Sequence, residues 1–346
     1  MRARAIAQHM SLPVTLIGST VSADGIRGVD ALVLPMDTAP GMTVESFEAL
    51  HYAPLGVDGL RERMGLLADW FRASWPCLLV VDVSVEVATL ARLYGVPTIY
   101  LRMHGDRSDT PHRMAYTMAT RLLAPYPAAM ESLATPRELV AKTDYAGWIS
   151  RFSCHDPGPG EAGRVLIING RGGTAFSRAG IEALAHACPE MRFRVAGELS
   201  DHTGGALHNV NYLGLLEDPM DEMCRAQIVI GSAGDSLVSE CAALGRPFIA
   251  IAEDRPYSEQ RVQVRRLNEL GVAIGLEAWP DKKAWPAILK SAESLPREAW
   301  HALADPEAAA LAARYIEKTA ERVLPRVSVH SCINSKTEVS RQSTQS

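Results

Sequence analysis

The chain has 346 residues, 47% of them hydrophobic, and a formal net charge of −5. That length holds two packed domains of about 100–200 residues each, and the acidic balance excludes the long-range positive field of a dedicated nucleic-acid binder. The six cysteines, at 77, 154, 188, 224, 241 and 332, form no CxxC pair and no metal-ligand spacing, so they read as reduced thiols of a cytoplasmic protein. No apolar run reaches the roughly 20 residues that span a bilayer, and no signal-peptide core opens the chain; a peripheral contact at the inner face of the membrane stays open.

Short Val-, Ile- and Leu-rich runs at 14–18, 31–34, 77–83, 98–101 and 122–124 alternate with longer amphipathic stretches, which predicts strand, helix, strand. Runs as apolar as Cys-Leu-Leu-Val-Val at 77–81 suit strands covered on both faces, as in a parallel sheet between helices. The first α/β domain is placed at 1–153. Asp-Pro-Gly-Pro-Gly at 156–160 has turn residues and no periodicity, which marks 154–164 as a linker. The rhythm restarts at 165–169, 192–196, 228–231 and 247–251, giving a second α/β domain over 165–305. A helix is expected at 306–325, and the polar, Ser-rich residues 326–346 are expected to be disordered.

The most informative segment is 228–256, which reads as strand, glycine turn, helix and strand. Gly231 and Gly234 would let the backbone approach a ligand, and Asp235 or Ser236 is placed to cap the following helix. Free N–H groups and the positive end of the helix dipole then suit a diphosphate. Glu240 lies within about two turns of that start, so its carboxylate can accept from paired sugar hydroxyls. The alternative is a plain tight turn with Glu240 as a solvated helix residue. It is weakened by Gln260 and Gln263, whose helix follows the next strand and brings amides to the same edge of the sheet.

Gly-Ser-Ala-Gly-Asp-Ser-Leu-Val-Ser-Glu from 231, Ala-Leu-Gly-Arg-Pro at 243–247, Glu-Gln-x-x-Gln at 259–263 and Leu-Gly-Val-Ala at 270–273 together resemble the donor domain of family 28 glycosyltransferases. That group includes the lipid-linked N-acetylglucosaminyltransferase of peptidoglycan synthesis. The resemblance implies a GT-B type α/β fold, two Rossmann-like domains facing a cleft. It places Ser232, Gly234, Asp235 and Ser236 at the diphosphate, Glu240 at the ribose, and Gln260 and Gln263 at the sugar. Gly170, Arg171 and Gly172 resemble the family's loop beside the phosphates, and Leu215 and Leu216 its contacts to the base.

The first half resembles the family less. Arg2-Ala3-Arg4-Ala5-Ile6-Ala7-Gln8 is similar to the helix that follows the family's first strand and Gly-x-Gly-His loop, so the N-terminal domain is expected to lack that strand. The corresponding expectation is that the natural gene starts upstream of Met1, or that the chain is a degenerate paralogue. Without the loop histidine the catalytic group is unknown, with His104 and Asp106 as substitutes for cleft-facing polar groups; an exposed loop histidine is the competing reading of His104. Arg102, Arg107 and Arg113 read either as attractors of an acidic acceptor or as a solvated face. Trp70 and Trp75 read as packing residues, as does Cys241.

The function implied is metal-independent transfer of a hexosyl or N-acetylhexosaminyl group from a nucleotide-diphosphate sugar, with UDP-N-acetylglucosamine the resemblance's donor, to a lipid, glycan or small molecule. No cofactor and no metal are expected, since no Asp-x-Asp motif is present. The rivals are a nucleotide-sugar hydrolase or epimerase on the same fold, and a non-catalytic sugar-nucleotide-binding subunit.

Overall fold

The computed structural model describes residues 2–38, 48–152, 156–170, 176–201, 205 and 207–325. In the first half, α1 (Arg2–Ala7) leads to β1 (Val14–Gly18), β2 (Val29–Val33), α2 (Asp58–Ala73), β3 (Leu79–Val81), α3 (Val85–Leu93), β4 (Thr98–Leu101), α4 (Thr110–Met118), β5 (Arg121–Ala124), α5 (Arg137–Lys142) and β6 (Thr143–Tyr145). All its strand pairs are parallel, and they fall into two ladders, β1-β2 and β3-β4-β5-β6, with no bridge between them among the described residues. Side chains join what the ladders do not. Ile17, Leu32 and Leu34 pack into the same core as Leu67, Phe71, Leu79 and Val81.

The second half runs β7 (Glu161–Ile168), α6 (Arg178–Ala187), β8 (Arg192–Ala196), β9 (Val210–Gly214), α7 (Met220–Arg225), β10 (Ala226–Ser232), α8 (Asp235–Ala243), β11 (Phe248–Ile251), α9 (Glu259–Glu269), β12 (Ile274–Leu276) and α10 (Trp285–Glu293). It is one parallel sheet in the order β12-β11-β10-β7-β8-β9. Successive residues of β7 alternate between its two faces, Leu166 and Ile168 into one core and Val165 and Ile167 into the other. A strand covered on both sides shows this as one continuous apolar run. The closing helix α11 (Ala308–Val323) returns to the first half, where Ala312, Ala313 and Ile316 pack with Ile6, Ile99, Leu101 and Leu123.

Four sequence expectations change. The expected linker loses its last residues to β7, which starts at Glu161 because its first rung pairs with Ala226. The long apolar run 77–83 shortens to the three residues of β3. Trp75 is 51% exposed instead of packed. Arg102 is buried, not solvated, and its guanidinium makes a two-pronged pair with Glu131, NH1 to Oε2 at 2.7 Å and NH2 to Oε1 at 3.0 Å. Cys241 is fully buried, as a packing residue should be. The segment 326–346, with Cys332, and also Cys154, lie outside the described residues. No described helix is long and apolar enough to cross a membrane.

Candidate functional site

The second sheet grows outward from β7 to β8 and β9, then crosses back to β10 on the other side of β7. Such a reversal leaves a crevice beyond the carboxyl ends of the two central strands, where open α/β sheets take their ligands. Asn169 and exposed Gly170 follow β7 there, and Arg171 and Gly172 lie outside the described residues. Ser232 ends β10, and Gly234 caps α8 with no side-chain hydrogen bond to the helix. This corrects the expectation that Asp235 or Ser236 is the cap: Asp235 is already the first helical residue and Ser236 is exposed.

Gly231 has a different duty from the one expected. A Cβ there would stand 2.7 Å from the Ile168 carbonyl oxygen and 2.2 Å from a Leu237 methyl, so this glycine lets α8 lie against the sheet. A Cβ at Gly234 would meet nothing nearer than Gln260 Nε2, at 3.9 Å, so the space in front of this glycine is open.

Polar side chains from both halves meet at the start of α8. Gln263 Nε2 donates to Asp235 Oδ1 at 3.3 Å, His104 Nε2 lies 3.9 Å from the same oxygen, and Arg2 reaches Asp235 Oδ2 at 3.7 Å. Gln260 Oε1 accepts from the Glu253 amide at 2.9 Å, which leaves its amide nitrogen toward Gly234. His104, far from being exposed, is buried and stacked on Tyr126 with ring centroids 4.1 Å apart. Burial pushes its pKa down, which keeps the ring neutral. Among these groups His104 Nε2, Asp235 Oδ2, Gln263 Oε1 and Arg2 Nε are buried without a hydrogen bond. Buried polar atoms are normally paired, and four such orphans in one place mark where a ligand's polar atoms would enter.

The remaining expected residues fall around this edge. Glu240 is buried and its Oε1 takes Arg151 Nε at 2.7 Å, so an arginine already holds the carboxylate expected at the ribose. Burial pushes the Glu240 pKa up against the pull of Arg151. Leu215 is half exposed and Leu216 packs on the core. Asp106 is exposed, and it is its backbone that acts, donating to the Tyr257 carbonyl at 2.7 Å. Arg113 is also exposed.

That bond belongs to a seam between the halves that the sequence reading missed. Arg107 donates from NH2 to Glu259 Oε2 at 2.7 Å, from Nε to the His104 carbonyl at 3.0 Å, and covers the Tyr257 ring at 4.7 Å. Burial raises the Glu259 pKa, with Asp235 adding to it and Arg107 opposing. Tyr257 and Ser258 both have left-handed backbones, φ 60° and 51°; residues other than glycine keep this conformation only where their surroundings enforce it. Beside Tyr257 stand His51 and His112, joined through Asp109: His51 Nε2 to Oδ1 at 2.8 Å and His112 Nδ1 to Oδ2 at 2.6 Å. The three ligand-type atoms lie within 4.8 Å of one another, near enough to share a metal ion. Asp109 also caps α4 through the His112 amide, at 3.1 Å. The run Asp-Thr-Pro-His at 109–112 is a helix-start signature that could have found half of this cluster. His51 is 58 residues away in the chain and has no local signal.

With this geometry in hand, the fold has clear relatives. The calicheamicin glycosyltransferase CalG4 superposes with a TM-score of 0.60 at 15% identity, covering 94% of this chain and 96% of that one. A glycosyltransferase of kitacinnamycin gives 0.59 at 14%, with 86% and 87% covered. MurG of Acinetobacter baumannii gives 0.58 at 12%, with 93% and 94% covered. The chain therefore has the GT-B fold, two Rossmann-like α/β halves, as the sequence predicted. No protein-family model and no curated sequence matches it.

Proposed function

We propose that the protein is a glycosyltransferase that takes a hexosyl or N-acetylhexosaminyl group from a nucleotide-diphosphate sugar, in the manner of UDP-linked donors, and passes it to an acceptor hydroxyl. The observation that carries this reading is the set of orphaned polar atoms at the start of α8. Asp235 Oδ2 and Gln263 Oε1 are acceptors, and a sugar ring is a dense array of hydroxyl donors. The uncapped N–H groups of α8 suit the diphosphate beside it, with Arg2 near enough to offset charge. Backbone donors and the helix dipole would then stabilise the leaving diphosphate. The GT-B relatives are glycosyltransferases by name, which agrees with this assignment. The acceptor is a lipid, a glycan or a small molecule.

Calorimetry against UDP-, dTDP- and GDP-sugars tests the assignment. Asp235→Ala should weaken the best donor by about 1.5–3 kcal/mol, the range for hydrogen bonds to a charged group, with no change in melting temperature. Binding of the sugar nucleotide with undiminished affinity would remove Asp235 from the site, and failure of the wild type to bind any member of the panel would end the reading itself.

A further inference from the structure

We propose that His51, oriented by Asp109, is the base that takes the proton from the acceptor hydroxyl. This deepens the glycosyl-transfer reading and rests on it. The protonation pattern follows from which atoms can only donate. Arg107 NH1 lies 3.0 Å from His112 Nε2, and a guanidinium has no acceptor. His112 Nε2 therefore offers its lone pair, and the ring's proton sits on Nδ1, donated to Asp109 Oδ2 at 2.6 Å. Burial lowers the pKa of His112, and Arg107 and His51 lower it further against the pull of Asp109, so the ring stays neutral.

Asp109 is held as a carboxylate. Burial alone would raise its pKa, but the hydrogen bonds from both histidines and from the His112 amide bring it to about 2. A carboxylate accepts only, so His51 Nε2 carries a proton toward Oδ1. In the tautomer with that single proton on Nε2, the second ring nitrogen of His51, Nδ1, offers a lone pair, and it has no hydrogen bond among the described residues. This is the arrangement that makes an imidazole a general base, with the carboxylate fixing the tautomer and offsetting the charge the ring gains.

Position supports the same role. His51 is 24% exposed, whereas His112 is 1% exposed, so only His51 can meet a substrate. Glu86 Oε1 pins its loop by accepting from the His51 and Tyr52 amides at 2.8 and 2.9 Å. Tyr257, from the opposite half, stands 5.6 Å from the His51 ring, which puts His51 on the seam. Arg107 ties this cluster to the orphaned one, binding His112 on one side and the His104 carbonyl on the other.

The step balances. His51 Nδ1 takes the hydroxyl proton, the acceptor oxygen bonds to the anomeric carbon, and the bond from that carbon to the diphosphate breaks with its electron pair leaving on the nucleotide. The proton passes from His51 to solvent afterwards. A metal ion on the same three residues is disfavoured, because ligation through His112 Nδ1 would force the proton onto Nε2, against the Arg107 N–H 3.0 Å away.

The test compares acceptors of different acidity on the full chain, using whichever donor of the UDP-, dTDP- and GDP-sugar panel binds. Water and a simple alkanol need a base, whereas 4-nitrophenol at pH 8 arrives already ionised. His51→Ala should lower kcat for the first two by about 100- to 1,000-fold, lower it for 4-nitrophenolate less than 10-fold, and leave the donor Kd unchanged, which also certifies the fold. Asp109→Asn, a positioning change, should lower kcat with KM unaltered and distort the acid limb of the pH profile. An equal loss on all acceptors, or no loss, would overturn the proposal while sugar transfer stands. A cobalt(II) absorption band that appears in the wild type and vanishes in Asp109→Asn would overturn it in favour of a metal centre. A wild type that turns over no donor would overturn it together with the transfer reading.

Discussion

Glu131→Ala should cost about 3–5 kcal/mol of stability, because it leaves the buried Arg102 guanidinium without its counter-charge. Arg102 and Glu131 are both largely buried, with side chains 7% and 12% exposed. Glu131 also accepts from Tyr145 Oη at 2.6 Å, Thr135 Oγ1 at 2.6 Å and Tyr126 Oη at 3.3 Å. Burial would raise its pKa, yet the hydrogen bonds and charge of Arg102, with the hydroxyls of Thr135 and Tyr145, together outweigh burial and hold it below the usual glutamate value. A carboxylate whose pKa is depressed on folding stabilises fully above its unfolded pKa, about 4.3, and loses that contribution as pH falls through the folded value. The gap between wild type and Glu131→Ala should therefore be full at neutral pH and narrow once pH falls below the unfolded value of about 4.3 toward the depressed folded value. Denaturant melts at pH 7 and pH 3.5 would check both statements. The double change Arg102→Met with Glu131→Leu should recover part of the loss, since it is the unpaired charge that is costly. A single variant as stable as wild type at pH 7 would show that the pair contributes nothing.

Trp300→Ala should cost a similar amount, about 3–5 kcal/mol, and should loosen the two halves from each other. The indole is 1% exposed, donates from Nε1 to the Arg246 carbonyl at 2.9 Å, and meets Trp148 edge to face at 5.7 Å. Tyr126 and Met130, from the first half, belong to the same core as Leu166, Val229 and Phe248 of the second. A cavity at Trp300 would face Trp148 from the first half and Arg246 from the second. Thermal unfolding followed by near-ultraviolet circular dichroism should show the first transition lowered by roughly 6–20 °C. An unchanged first transition would place Trp300 outside the core that joins the halves.

The central strands were readable in the sequence because their environment leaves a local trace. The inner strands β4 and β11 sit within a residue or so of their expected places, each a short run buried at every position. The strands with no such trace are β6, β9 and β12, and all three lie at sheet edges. Thr-Asp-Tyr, Val-Asn-Tyr-Leu-Gly and Ile-Gly-Leu are short and partly exposed. They become strands only because a neighbour offers a free ladder. The same limit explains Trp75, which reads as a packing residue and is exposed in fact.

For the site, the sequence by itself determined which residues gather at one edge of the second sheet. Glycine turns after apolar strands are local features, and Gly234, Asp235, Gln260 and Gln263 do meet there, with Gln263 bonded to Asp235. What each of them does was decided only by tertiary structure. Gly231 is used up by Leu237 and the Ile168 carbonyl, and Glu240 is held by Arg151 from 89 residues away. His104 and Arg2 come to α8 from the other half of the chain. His51 meets Asp109 across 58 residues, and Arg107 meets Glu259 across 152. Periodicity and turn chemistry act over a few residues, so they fix elements and their ends. Which side chains share a buried charge or a proton depends on packing between elements, and no local pattern in the chain encodes it.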